Sequence, residues 1–173
     1  LWAAEPAIYG RFGYGAATFQ TDATIDTRRA GLSVPAGTDD VRLRYAEPAE
    51  VLDACEAVYA RLVPGRPGMT ARRPGWERLG LLDPESRRDG GSPLQCVVAE
   101  RDGGTVGYAR FHVVPSWGPA GPDGEVRLSE LAALDPAADA ALWRFLFDVD
   151  LTSTLVVHNR PVDDAWQYLV SDP

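Results

Sequence analysis

From position 17 to 28 the chain alternates. Ala17, Phe19, Ala23 and Ile25 fall on one side and Thr18, Gln20, Asp22, Thr24 and Asp26 on the other, the period of two of a half-buried antiparallel strand. Gly31 to Asp40, with Pro35, Gly37 and two aspartates, breaks the pattern and reads as a linker. Alternation resumes with Val41, Leu43 and Tyr45 against Arg42 and Arg44, a second strand. Beyond Pro48, a residue tolerated in a first helical turn, Val51, Leu52, Cys55, Val58, Tyr59 and Leu62 recur at helical spacing until Pro64-Gly65 stops them. A Pro/Gly/Arg loop from Gly65 to Gly75 leads into a short amphipathic helix around Trp76, Leu79 and Leu82. Leu94–Arg101 and Thr105–Val114 form a hairpin on Asp102-Gly103-Gly104, and Val126–Leu134 is a further strand. Asp135-Pro136 caps a helix that carries Leu142, Trp143, Leu146 and Phe147. Leu155-Val156-Val157 is a short strand, and Pro161 to Leu169 starts a last helix.

Composition narrows the class. Hydrophobic residues are 45% and charged residues 24% of 173 positions, which is a globular balance. No apolar run approaches the roughly 18 residues needed to cross a bilayer, so no membrane association is expected. The opening Leu1-Trp2-Ala3-Ala4 and the closing Val170-Ser171-Asp172-Pro173 read as cuts within a longer protein. All 17 basic residues are arginine, and the net charge is −8. Phosphate backbones would be repelled, so nucleic acid is excluded as a partner. An acidic surface either attracts polycations or simply keeps the protein soluble. Cys55 and Cys96 lie in apolar segments without a Cys-x-x-Cys pair and read as small buried hydrophobes in a reducing cytoplasm.

The segment Ala4-Glu5-Pro6-Ala7-Ile8-Tyr9-Gly10-Arg11-Phe12-Gly13-Tyr14-Gly15 carries the most chemistry. A tyrosine just before a glycine turn can hold its hydroxyl at the mouth of a cleft, and a phenol is a proton donor suited to a thiolate leaving group. The spacing Tyr9-x-x-x-Gly13-Tyr14 resembles the last helix of acetyl-CoA-dependent N-acetyltransferases of the GNAT superfamily. The string Ile8 to Gly15 is similar to that of the enhanced intracellular survival (Eis) family within it. So are Leu128-Ser129-Glu130-Leu131, Ala141 to Asp150 and Arg160-Pro161-Val162-Asp163-Asp164. The element order strand, helix, helix, strand, strand, strand, helix, strand is that of a GNAT domain. It implies an α+β fold, a mixed and mostly antiparallel sheet flanked by helices. The Eis family joins two such domains in tandem. By that resemblance residues 1–32 end a first, catalytic GNAT domain, 33–40 are a linker and 41–173 are a second GNAT-like domain.

The same resemblance makes Tyr9 the general acid and aligns Ala4, Glu5 and Ala7 with positions lining the acetyl end of the cofactor cleft, mainly through backbone. Acetyl-CoA is the implied co-substrate, and no metal is expected. The implied acceptors are primary amines of aminoglycoside-type polyamines or protein lysine, in a homo-oligomer that is a hexamer in the family. GNAT proteins bind the CoA pyrophosphate on an (Arg/Gln)-x-x-Gly-x-(Gly/Ala) loop at a helix start. Here that place reads Asp135-Pro136-Ala137-Ala138-Asp139: both glycines are gone, one N–H is lost to proline, and two carboxylates would repel phosphate. The second domain is therefore expected to bind no CoA, and this segment alone to be inactive. Gly10-x-x-Gly13-x-Gly15 follows no strand and reads as the turn after the catalytic helix. His112 and His158 lack the partners of a triad or metal site, and the pairs Arg72-Arg73 and Arg87-Arg88 read as solvated loop arginines.

Overall fold

The computed structural model describes residues 6–16 and 18–171. A single-turn helix α1 (Pro6–Gly10) and strand β1 (Gln20–Asp26) precede β2 (Arg42–Ala46) and helix α2 (Leu52–Leu62). Then come β3 (Gln95–Arg101), β4 (Gly104–Val114), and the short β5 (Trp117–Gly118) and β6 (Gly121–Pro122), which pair with each other. β7 (Gly124–Ala133), α3 (Pro136–Phe147), β8 (Thr152–Pro161) and α4 (Trp166–Leu169) complete the chain. Six strands make one sheet in the order β1-β8-β7-β4-β3-β2, antiparallel throughout except for β7 with β8. The α+β, mostly antiparallel arrangement expected from the element order is what the chain adopts.

Helices cover both faces. In β3, Val97 and Ala99 join Ala109, Phe111, Leu128, Leu142, Trp143 and Leu146 in the core that includes α3. Cys96 and Val98 join Val51, Cys55, Val58 and Tyr108 in the core that includes α2. A strand covered on both sides has no polar face, so Cys96–Ala99 is continuously apolar and wholly buried. Gly107 lets α3 close on β4: a Cβ there would stand 3.0 Å from Leu142 Cδ1 and 3.1 Å from the Ala132 carbonyl oxygen. The β3–β4 turn places Asp102 at φ 53° and Gly103 at φ 77°, the two positive values of a type I′ hairpin.

Several elements differ from the sequence reading. β1, which the resemblance assigns to the end of a first domain, is here an edge strand of the main sheet, paired with β8. It gives β8 a partner on its otherwise open side, and its Ala23 and Ile25 pack onto the core with α3. β8 spans ten residues rather than three. Residues 33–40 are tied down at one end, where Ser33 N–H donates to the Leu169 carbonyl at 2.7 Å, and Thr38 is buried. Trp76–Leu81 is a 3-10 helix, not an α-helix, and Trp76, Leu79 and Leu82 are exposed. Pro74-Gly75 before it and Asp83-Pro84 after it leave too short a run to repay α-helix nucleation.

One irregularity shapes the end of the sheet at which α3 begins. β7 and β8 pair from Gly124–Thr152 to Leu128–Val157 and then part. On β7, Arg110 faces Glu130 but Phe111 faces Leu128, so Ser129 is extra. On β8, Thr21 faces Arg160 but Ala23 faces Val157, so two residues stand opposite Asp22. Asn159 takes φ 57° there and donates its N–H to the Asp22 carboxylate at 2.8 Å; asparagine tolerates that conformation better than most residues. Bulges bend strands. Together these two open a wedge at the C-terminal ends of β7 and β8, the end at which α3 begins.

Candidate functional site

The wedge and the start of α3 lie where an open sheet holds a ligand, and both are taken by the chain's own side chains. Asp135 is extended and caps α3. Its Oδ1 accepts the N–H groups of Ala137 and Ala138, each at 3.0 Å, and its Oδ2 accepts Arg101 Nη2 at 2.5 Å. Pro136 at the first helical position has no N–H to offer. The donors a pyrophosphate would need are therefore engaged by an internal carboxylate. The Arg101 hydrogen bond, helped by the Ala138 and Ala137 N–H groups, outweighs partial burial and holds Asp135 below the usual carboxylate range. A fixed negative charge stands where a phosphate would have to sit.

Arg160 closes the wedge. Its Nη1 donates to the Leu131 carbonyl of β7 at 3.1 Å, beyond the last β7–β8 pair, and its Nε to Asp164 Oδ2 at 2.6 Å. The guanidinium lies 5.8 Å from the Trp143 ring, which packs on Trp166 with centroids 5.7 Å apart. Asp139, one turn into α3, has its pKa pushed up to about 6 by burial and then by the neighbouring Asp164 charge. Among the described residues its Oδ2 and the indole nitrogens of Trp143 and Trp166 lie within hydrogen-bonding distance of no partner. The groups that fill this space do not fit CoA.

Of the candidate residues, Tyr9 stands half-buried on α1, its ring edge-on to Tyr14 at 6.3 Å. The Tyr9 carbonyl accepts the N–H groups of Phe12 at 3.0 Å and Tyr14 at 3.3 Å, and Gly13 takes φ 82° to close the turn. Ala7 is exposed. Ala4 and Glu5 lie outside the described residues. His112 Nδ1 is 2.9 Å from the Ser92 carbonyl and its Nε2 4.0 Å from Asp83, while exposed His158 faces Asp22. Among the described residues no three His, Cys, Asp or Glu side chains are grouped to hold a metal, and no helix is long and apolar enough to cross a membrane. Cys55 and Cys96 are both free and buried in the cluster under α2.

Sequence reasoning missed a charged assembly on the α2 side. Arg110, 1% exposed on β4, donates from Nη1 to its cross-strand neighbour Glu130 at 3.0 Å. Arg72 bonds both Glu56 and Glu130, and its guanidinium carbon stands 3.7 Å from the centre of the Tyr59 ring. Burial alone would lower the Arg72 pKa; the Glu130 carboxylate, with Glu56, more than offsets this and raises it. The expectation of solvated loop arginines is thus corrected for one member of each pair: Arg72 is caught between carboxylates, and Arg88 is held by Asp83. Arg73 and Arg87 remain exposed.

A mixed sheet whose parallel pair parts beside the start of a helix is the GNAT fold. The chain belongs to the acetyltransferase (GNAT) domain family, whose sequence profile matches residues 68–173. It is 76% identical over 172 residues to an uncharacterized N-acetyltransferase of Streptomyces coelicolor, covering 99% of this chain and 42% of that protein. It is 32% identical over 179 residues to N-acetyltransferase Eis of Mycobacterium tuberculosis, covering 99% and 41%. Among solved structures, Eis1 from Mycobacterium abscessus superposes with a TM-score of 0.66 at 30% identity, over 99% of this chain and 42% of that one. A GCN5-related N-acetyltransferase from Anabaena variabilis, with a TM-score of 0.71 at 16% identity over 99% and 41%, shares the fold. The chain thus spans 42% of the first of these curated relatives.

Proposed function

We propose that the chain is part of an Eis-like, acetyl-CoA-dependent N-acetyltransferase acting on primary amines, and that residues 41–173 are a GNAT unit that binds no CoA. One observation carries this reading: the Asp135 carboxylate takes the Ala137 and Ala138 N–H groups at the helix start where the fold would receive a pyrophosphate. Arg160, bonded to the Leu131 carbonyl and Asp164, supports it from within the wedge. The role left to this unit is architectural, shaping an acceptor pocket and supporting a homo-oligomer that is hexameric by the family resemblance. Tyr9 serves a site completed by chain outside this sequence, giving its hydroxyl proton to the departing thiolate as an amine nitrogen takes the acetyl group.

Calorimetric titration of this 173-residue chain with acetyl-CoA should give no saturable heat; saturable binding overturns the reading of the unit. In the full-length protein, Tyr9→Phe should lower kcat by about 10²–10⁴-fold. Free thiol released from acetyl-CoA in the presence of an aminoglycoside is the readout, and unchanged turnover removes Tyr9 as the acid. Light scattering on the full-length protein tests the assembly.

A further inference from the structure

The assembly under α2 has no part in the reading above. Glu56 on α2 and Glu130 on β7 direct carboxylates to one spot, the Tyr59 ring walls it, and the Arg72 guanidinium fills it. Two carboxylates and an aromatic face are a donor-hungry set matched to a planar cation. The cation in place comes from afar in sequence, 16 positions from Glu56 and 58 from Glu130. It sits in the Pro/Gly-rich stretch 66–75, which has no helix or strand. Besides the bonds of Arg72 itself, two side-chain hydrogen bonds tie that stretch to the fold, from the Tyr59 hydroxyl to the Thr70 carbonyl at 2.8 Å and from Arg66 Nη2 to exposed Asp163 Oδ1 at 3.3 Å.

Beneath the spot the structure is rigid. Arg110 is inside the sheet and holds the second oxygen of Glu130 independently of Arg72. Among the described residues its Nε and Nη2 and the Tyr108 hydroxyl are buried without partners, and Glu130 is the acceptor that answers the Arg110 charge. Beside the spot lies a cleft of about 270 Å³ lined by Tyr59, Thr70, Arg72, Trp76, Leu79 and Gly80. With Arg72 present, two guanidinium groups face two carboxylates; with Arg72 withdrawn, one negative charge is left over beside a cleft that carries two aromatic rings.

We propose that Glu56, Tyr59 and Glu130 form a binding cage for an alkylguanidinium group, which Arg72 fills in cis and an external guanidinium enters when the 66–75 stretch swings away. Arg72→Ala empties the cage. Methylguanidinium, at millimolar levels far below denaturing ones, should then raise the melting temperature of this variant saturably, by about 3–6 °C at ~10-fold excess over Kd. In wild type Arg72 competes for the cage, so the same saturable rise should require about 10-fold more methylguanidinium; a wild type that never responds removes the exchange, and sodium chloride should reproduce no rise in either protein. Arg72→Ala combined with Glu130→Gln should lose the response. Should the alanine variant not fold, Arg72→Gln keeps the stem over Tyr59, and saturable shifts of the Tyr59 ring resonances replace melting as the readout. N-acetylarginine amide in place of methylguanidinium separates the sources: tighter binding assigns the cage to a peptide arginine, weaker binding to a free guanidine. The proposal is overturned if neither variant responds saturably, or if the double variant responds as strongly as the single one.

Discussion

Two arginines close two hollows on opposite sides of β7, and they do so on different terms. Arg160 reaches a carboxylate four positions away and a strand carbonyl, and the side chains of the pair are 13% and 5% exposed. Arg72 reaches two carboxylates from distant elements, its own side chain is 24% exposed, and it rides on a stretch of proline and glycine. A pair that is local in sequence and sealed from water has no alternative partner, so Arg160 is a permanent plug. A pair that is remote in sequence and reached by water exchanges more readily, so Arg72 is a removable one. The lesson is that the same ion-pair chemistry makes filler or gate according to tether and solvent.

The largest effect is expected at Arg160. Arg160→Met keeps the stem but leaves Asp164 charged, buried and unpaired, and should cost about 3–5 kcal/mol in urea denaturation; a loss below that of Arg72→Gln would reverse the assignment of plug and gate. Arg72→Gln should lose about 1–2 kcal/mol by the same measurement, because water can solvate the carboxylates left behind. Asp139→Asn should act in the opposite sense above pH 6. The folded-state pKa of about 6 lies above the ordinary 3.8, so the stability it contributes is complete below about 3.8 and is lost as pH rises through about 6. The variant should therefore be more stable at pH 7 by about 1–2 kcal/mol, since water reaches part of the side chain, and thermal melts across pH 4 to 8 should show a flatter profile.

The smallest effect is expected at Asp135→Ala, about 1 kcal/mol for a lost helix cap. Its sign with pH is the reverse of that for Asp139. The folded pKa is depressed from 3.8, so the contribution is present above that value and lost as pH falls through the lower one. The variant should melt like wild type in strong acid and below it at neutral pH.

Local signals carried most of the fold. Asp102-Gly103 specified the hairpin through positive φ angles, and Asp135-Pro136 announced both the cap and the missing phosphate donors. The periodic residues of α2 and α3 announced the helices. What depended on distant partners was not legible. The alternation of β1 reported a strand but not that its neighbour is β8, and nothing distinguishes Arg72 from Arg73 until the fold brings Glu56 and Glu130 to one of them. Trp76, Leu79 and Leu82 had the spacing of an amphipathic helix, yet the flanking prolines left no length for one. The candidacy of Tyr9 and the altered helix start came from motif and residue chemistry. The Arg160 closure needed two bulges that no local pattern encodes.

The placement of β1 has a consequence for how the chain is made. Asp22 and its partner Asn159 are 137 positions apart, and a ribosome adding roughly 5–20 residues per second needs on the order of ten seconds to travel between them. For that interval β1 lacks its β8 partner. A nascent chain stalled before β8 would leave two strand edges without that partner at once, one on β1 and one on β7, and unpaired edges are where another chain can add.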